Sequence, residues 1–259
     1  MKRGFSPQKV LITGASSGMG AALAKLCAAK GFSLIVTGRN EEALQELKQS
    51  LSTLVEIVVA DLSCADGLDR LLHTVRAHAP DLVINNAGLG YYGEAILKEA
   101  DEVIQVNVKA VTDITIAAAN ALRGKNAPGI ICNISSVLAF QPTPFMSVYA
   151  ASKAFVTSFS QAEDTILQPY GIRVLSSCLG AVESDFVRRA AHNLPSTHRP
   201  WFSLSAEEAA KAIWEQIEAE DSMRVIDWRT RALLLLSKLI PQKWRLSFVS
   251  RDVVKRLAR

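Results

Sequence analysis

The sequence predicts an α/β fold in which one doubly wound parallel sheet carries helices on both faces. Three observations predict it. Short apolar runs with strand character alternate with helical segments from residue 9 to residue 226. A glycine-rich turn joins the first strand to the first helix. Polar residues gather at the C-terminal ends of the apolar runs, where such sheets bind ligands. A chain of 259 residues with 49% hydrophobic and 21% charged content suits one large core. The expected division is a single domain over residues 1–228 and a basic tail over 229–259.

Residues 9–13 (KVLIT) read as a buried strand and run into Gly14-Ala-Ser-Ser-Gly18-Met-Gly20. An Ala/Leu-rich helix over 21–30 follows, stopped by Gly31. A second strand at 33–37 completes a βαβ unit. Glycines at a strand-to-helix turn let the backbone approach a phosphate, whose charge the helix N-terminus favours. This is the Rossmann-type arrangement, here with the spacing G-x-x-x-G-x-G. The second strand ends Thr37-Gly38-Arg39-Asn40 with no carboxylate. An acidic side chain there would meet the adenosine ribose of NAD. Arg39 instead offers a planar, bidentate donor to the additional phosphate of NADP, so NADP(H) is expected over NAD(H).

Asn40 is the expected N-cap of a helix over 41–51. The strand at 55–60 leads into Asp61 and Leu62, placed to meet an adenine edge. A helix over 65–79 ends at Pro80, and the fourth strand, 81–85, runs into Asn86-Ala87-Gly88. A polar Asn pair closing an apolar strand suggests backbone hydrogen bonds that steady the sheet beside a ligand. The stretch 99–122 reads as one long helix with Asn107 among valines and isoleucines. An unpaired amide there would cost about 1–3 kcal/mol. It is therefore either a satisfied core amide or the holder of a water on a proton path. The sixth strand is expected at 172–178, a helix capped by Ser205 at 205–218, and the last strand at 223–226.

Between these lies the stretch 136–153. Tyr149 and Lys153, four apart on a helix, share a face one turn apart. A phenol with pKa ~10 needs help to exchange a proton near neutrality, and a lysine cation one turn away favours the phenolate. Ser136 offers a neutral hydroxyl that could hold a substrate oxygen beside the phenol.

The four cysteines (Cys27, Cys64, Cys132, Cys178) are widely spaced in apolar segments and read as buried, reduced thiols of a cytoplasmic protein. His73 and His78 are five apart, off a common helix face, and no metal cluster is present in the sequence. From Met223 onward ten Lys/Arg face two Asp, while the net charge of the whole is +4. The preceding part is therefore acidic, and the tail is the surface suited to an anionic partner. Its apolar runs fall short of the ~20 residues needed to span a bilayer. Either the tail packs on a partner subunit or closes the pocket, or it lies on a membrane surface. A nucleic-acid role would rest on the tail alone and is not expected.

Taken together, these residues make the chain resemble the compact branch of the short-chain dehydrogenase/reductase family, over about residues 8–226. Thr13-Gly14-x-x-x-Gly18-x-Gly20, Asn85-Asn86-Ala87-Gly88, Asn107, Ser136 and Tyr149-x-x-x-Lys153 fall in the family's order, with its usual interval between Ser136 and Tyr149. The resemblance implies hydride transfer between the nicotinamide of NADP(H) and a carbonyl/alcohol pair. It implies that Tyr149 is the general acid for reduction or the base for oxidation. Lys153 would lower the pKa of Tyr149 and bind the nicotinamide ribose, Ser136 would hold the substrate oxygen, and Asn107 would anchor a water linking Lys153 to solvent.

The cofactor turn would be Gly14, Ser16, Gly18, Met19 and Gly20, with Arg39 and Ser17 at the 2′-phosphate. Asp61 and Leu62 would flank adenine, and Asn86, Ala87 and Gly88 the adenosine side. Gly180 and Val182 would line the nicotinamide side, and Ser184 would meet the carboxamide. Departures from the family pattern are Leu179 before Gly180, Ala139 after the serine, and Ser184 in place of threonine.

Residues 183–204 stand where the family carries a lid. Phe186, Val187, Leu194, Pro195, Trp201 and Phe202, with Tyr91 and Tyr92 nearby, make an apolar site suited to a lipophilic carbonyl substrate. Members of the family usually form dimers or tetramers through the helices that carry Asn107 and Tyr149. A cofactor-binding sensor without turnover is the competing reading, and the presence of Ser136, Tyr149 and Lys153 argues against it.

Overall fold

The computed structural model describes residues 7–183, Phe186, Ala190, residues 203–237, Trp244 and Leu246. Seven parallel strands form one sheet in the order β3-β2-β1-β4-β5-β6-β7. They are β1 (Lys9–Thr13), β2 (Ser33–Gly38), β3 (Val55–Val59), β4 (Leu82–Asn85), β5 (Gly129–Ser136), β6 (Ile172–Leu179) and β7 (Met223–Val225). The sheet is buried on both faces, so strand residues alternate between two cores. Val10 and Ile12 face a core with Leu23, Leu44, Ile213 and Ile217. Leu11 and Ile35, paired in register, face the other with Leu71, Val75, Ile114 and Leu122.

The chain winds outward from β1 in both directions, so the crevice between the ends of β1 and β4 is the topological switch point where such sheets bind ligands. Helices α1 (Gly18–Ala29) and α7 (Ala206–Ala219) pack together on one face, and α3 (Ala65–His78) and α5 (Val111–Gly124) on the other. Helix α2 (Glu41–Gln49) is capped by Asn40, whose Oδ1 accepts from the Ala43 N–H at 3.0 Å. Helix α7 opens with a reciprocal capping box between Ser205 and Glu208.

The sequence reading holds for the elements, with three differences that have physical causes. Helix α1 starts at Gly18 rather than residue 21, because the glycines lie inside its first turn. A Cβ on Gly20 would come within 2.1 Å of the Gly14 carbonyl oxygen. The stretch expected as one helix over 99–122 is instead α4 (Leu97–Ile104), a π-helical turn (Gln105–Ala110) and α5. The widened turn coincides with Asn107, and such turns commonly mark functional positions. After β5, which ends at Ser136, the chain makes a 3₁₀ turn, Val137–Phe140. Cys64, expected to be buried, is exposed because it stands at the N-cap of α3; the other three cysteines are buried.

Helix α8 (Trp228–Ser237) begins the basic tail. Asp227 accepts from the Thr230 N–H and hydroxyl at its start, and Thr230 packs so closely on Gly180 that a Cβ there would lie 2.8 Å from the threonine Oγ1. Trp228, Leu236 and Trp244 are exposed. Most of the remaining tail residues lie outside the described ones. Among the described residues, no helix is long and apolar enough to cross a membrane.

Candidate active site

Helix α6 (Ser147–Leu167) runs beside the end of β5 and brings Tyr149 and Lys153 to Ser136. Ser136 is buried and hydrogen-bonds the Tyr149 side chain, while its Oγ accepts from the Leu138 N–H at 3.2 Å. Lys153 is 4% exposed; its Nζ lies 5.7 Å from the Tyr149 ring centre and donates to the Ile134 carbonyl at 2.8 Å. The expected shared face is therefore present. The expected electrostatics differ, because burial outweighs the lysine. Burial pushes the Tyr149 phenol up to about 12, against the lowering effect of the Ser136 hydrogen bond. Burial likewise pushes the Lys153 amine down to about 8, only partly offset by the nearby Cys178 thiol. Ser135, one residue before Ser136, steadies α6 by donating to the Lys153 carbonyl at 2.9 Å and pairing with Thr157 at 2.6 Å.

Asn107 is fully buried, and its amide is satisfied by protein groups. Its Oδ1 accepts from the Leu89 N–H at 2.8 Å; its Nδ2 donates to the Leu89 carbonyl at 2.8 Å and to Ser152 Oγ at 3.0 Å. Ser152 in turn donates to the Tyr149 carbonyl at 2.7 Å. Asn107 thus links the loop after β4 to the turn of α6 that carries the tyrosine. Ser152 lies inside the Tyr-x-x-x-Lys spacing, the one signal that could have singled it out in the sequence. A methyl group on Gly88 would sit 3.5 Å from both Asn107 Oδ1 and Lys153 Nζ, so this bare glycine keeps the space between them open.

At the switch point the glycine turn is locked to β4. The Asn86 side chain donates to the Thr13 carbonyl at 2.8 Å and the Gly14 carbonyl at 3.2 Å, and the Ala87 N–H donates to Thr13 Oγ1 at 2.9 Å. Gly14 and Gly18 adopt φ of +67° and +53°, which side chains rarely tolerate. A Cβ on Gly14 would lie 2.9 Å from the Ala87 Cα. Ser17 is the N-cap of α1 but makes no side-chain cap bond, so the first turn of the helix, containing Met19, presents its N–H groups to the crevice. Gly38 passes within Cβ contact of Ser16, and Arg39 beside it is exposed. Asp61 accepts from the Ser63 N–H at 2.9 Å and hydroxyl at 2.7 Å. Burial works to raise its carboxyl, but these bonds and the Arg39 charge together hold it below the usual carboxylate range. The Leu62 side chain is buried in the core.

Deeper in the sheet, Asn85 donates to Asn133 Oδ1 at 2.8 Å and Thr115 Oγ1 at 3.3 Å, and Asn133 donates to Ser160 Oγ at 3.0 Å. Of the Asn pair, only Asn86 makes the expected bonds to backbone; those of Asn85 run to side chains.

On the substrate side, β6 ends at Leu179 and Val182 bridges to Leu204. The Glu183 N–H donates to the Leu204 carbonyl at 2.7 Å and the Leu204 N–H to the Ala181 carbonyl at 2.9 Å, joining the two ends of the expected lid. Of the lid side chains, Phe186 packs on Tyr149 with ring centres 5.4 Å apart. Ser184, Val187, Leu194, Pro195, Trp201 and Phe202 lie outside the described residues. Among the described residues no cluster of His, Cys, Asp or Glu could hold a metal ion.

Residues 8–195 match the family model for short chain dehydrogenases. The chain is 35% identical over 219 residues to sulfoacetaldehyde reductase 2 of Chromohalobacter salexigens, covering 79% of this chain and 86% of that protein. It is 30% identical over 216 residues to the NADP-dependent 3-hydroxy acid dehydrogenase YdfG of Escherichia coli, covering 79% and 87%. Among solved structures it is similar to a short-chain dehydrogenase from Sphingobium yanoikuyae in complex with NADPH. That match has a TM-score of 0.79 and 27% identity and covers 95% of this chain and 94% of that one.

Proposed function

Because the chain belongs to the short-chain dehydrogenase/reductase family and is an oxidoreductase acting on CH–OH groups, we propose that it interconverts a lipophilic carbonyl compound and its alcohol using NADP(H), with Tyr149 moving the proton. The observation that carries this reading is the convergence of Ser136, Tyr149 and Lys153 on one point beside the switch point of the sheet.

The residues at the switch point fit a dinucleotide. The bare Cα atoms of Gly14 and Gly20 let the turn fold tightly against Ala87, Asn86 and the Gly14 carbonyl, where a Cβ would collide, and the first turn of α1 has no side-chain cap to compete with a phosphate. In this reading Ser16, Ser17 and Met19 line the pyrophosphate, and Arg39 with Ser17 pairs the 2′-phosphate. Asp61 and Leu62 flank adenine, Leu62 through its backbone because its side chain is buried. Asn86, Ala87 and Gly88 line the adenosine side, and Gly180, Val182 and Ser184 the nicotinamide side. Bound NADP(H) supplies or accepts the hydride. Ser136 holds the carbonyl oxygen against Tyr149, which delivers its proton during reduction and recovers it during oxidation. A phenol held near 12 is protonated at neutral pH, which suits a general acid. Lys153 holds the nicotinamide ribose, and the space over Gly88 admits a water between Lys153 and Asn107.

The relative named for NADP dependence and the neighbour solved with NADPH favour NADP(H) over NAD(H), as does Arg39. Helices α4 to α6 expose Ile104, Ile116, Phe155 and Ile166, which favours homodimer or homotetramer pairing through the helices beside Asn107 and Tyr149. The contact of Thr230 with Gly180 favours a tail, residues 229–259, that packs on its own domain or a partner subunit rather than on a membrane.

The test is NADPH oxidation over a panel of aldehydes and hydrophobic ketones, with NADH and Tyr149→Phe as controls. Turnover with NADPH that Tyr149→Phe abolishes is the expected result. Tight NADPH binding without turnover on any carbonyl would replace this reading with a cofactor-binding sensor.

A further inference from the structure

The Phe186 ring is held between Tyr149 and a fixed floor. Its plane tilts 50° to that of Tyr149, and its far edge rests on the bare Cα of Gly90. A Cβ on Gly90 would lie 2.6 Å from Phe186 Cζ, 3.0 Å from Cε1 and 3.3 Å from the Ala190 Cβ. Gly90 itself has little freedom to yield, because its loop is tied on every side. The Asn107 amide grips both the N–H and the carbonyl of Leu89. The Tyr92 N–H donates to the Ala190 carbonyl and the Gly93 N–H to the Phe145 carbonyl, each at 2.9 Å. Phe145 makes that bond from φ +62°, a conformation a bulky residue adopts only when its surroundings impose it.

We infer that Phe186 is the specificity-determining residue of the site, limiting the size of the smaller substituent on the carbonyl carbon, and that Gly90 is the seat that sets how far its ring reaches over Tyr149. This rests on the carbonyl-reductase reading above. A carbonyl whose oxygen meets Tyr149 must share with the Phe186 ring the space beside the phenol. A hydrogen or methyl substituent fits under the ring, whereas a second bulky arm collides with a ring that Gly90 and its tethered loop keep from retreating. Gly90 is outside the left-handed region, so alanine there is compatible with the backbone and acts mainly through the ring, the Ala190 methyl being its next neighbour.

The experiment compares kcat/KM for acetophenone with that for ketones of the same series carrying butyl or phenyl in place of methyl, using NADPH and the full-length protein. Phe186→Ala is expected to raise the bulky-to-methyl ratio roughly tenfold, the scale of a lost or gained packing contact in an apolar pocket. Phe186→Leu should raise it less, and provides the measurement if the alanine variant folds poorly. Gly90→Ala is expected to change the ratio several-fold in the Phe186 protein and to leave it unchanged in Phe186→Ala, because it has no ring left to displace. NADPH affinity should be unaltered throughout. A ratio that stays within twofold in both Phe186 variants overturns the inference. Failure of the underlying reading looks different, since the unmodified protein would then reduce no ketone of the series or Tyr149→Phe would leave turnover intact.

Discussion

Lys153 Nζ sits 5.7 Å from the centre of the Tyr149 ring yet donates to the carbonyl of Ile134, at 2.8 Å. The two groups therefore have pKa values displaced in opposite directions, about 12 for the desolvated phenol and about 8 for the buried amine. Each displacement opposes the charged form of its group, and each has a measurable consequence.

The first concerns stability. An amine with a folded value of about 8 against an ordinary 10.5 binds its proton less tightly folded than unfolded. Below pH 8 the fold carries a buried charge, and stability from this site rises as pH climbs from about 8 through 10.5. Lys153→Met is expected to abolish turnover while stabilising the cofactor-free protein by about 2 kcal/mol at pH 7. Urea denaturation at several pH values checks it, and the gap should close towards pH 10.

The same burial predicts opposite pH profiles for the two reaction directions. Alcohol oxidation needs the Tyr149 phenolate, so its kcat should climb with pH through the alkaline range, up to about tenfold per unit. Carbonyl reduction needs the phenol and should show no such rise. Steady-state rates in both directions from pH 6 to 10 test this, and parallel profiles would rule out Tyr149 as the titrating group.

Arg39 is exposed, and it stands beside the Gly38–Ser16 contact at the end of β2. Arg39→Ala should weaken NADPH binding by roughly 10- to 100-fold, the scale of one or two charge-assisted hydrogen bonds, and leave NADH binding nearly unchanged. Fluorescence titration with each cofactor reads both values.

Asn86 holds the glycine turn through two carbonyls, those of Thr13 and Gly14. Asn86→Ala leaves both acceptors without this donor and should cost about 2 kcal/mol. Asn86→Asp should cost more, because a carboxylate would face the same carbonyls with like partial charge. Urea midpoints of the two variants check the order, and NADPH affinity should fall in both.

Much of the fold was legible because it rests on local patterns. Apolar runs such as residues 9–13 and 33–37 could only be buried strands, and Asn40 and Ser205 marked helix starts through side chains that cap the first turn. The spacing of Tyr149 and Lys153 required no tertiary information, since a helix puts positions four apart on one face. The π-turn at Asn107 was not legible, because it accompanies the capture of Leu89 and Ser152, residues 18 and 45 positions away. Cys64 misled for a related reason, since its place at the N-cap of α3 turns it outward.

The sequence by itself determined the fold class, the family and which residues are candidates for proton transfer, because periodicity, glycine placement and motif spacing are properties of the chain over short distances. Only the tertiary structure decided the opposite pKa displacements of Tyr149 and Lys153, the seat of Phe186 on Gly90 and the lock of Asn86 on the glycine turn. Those depend on desolvation and on contacts between segments remote in sequence, which arise only when the sheet brings the ends of β1, β4 and β5 together.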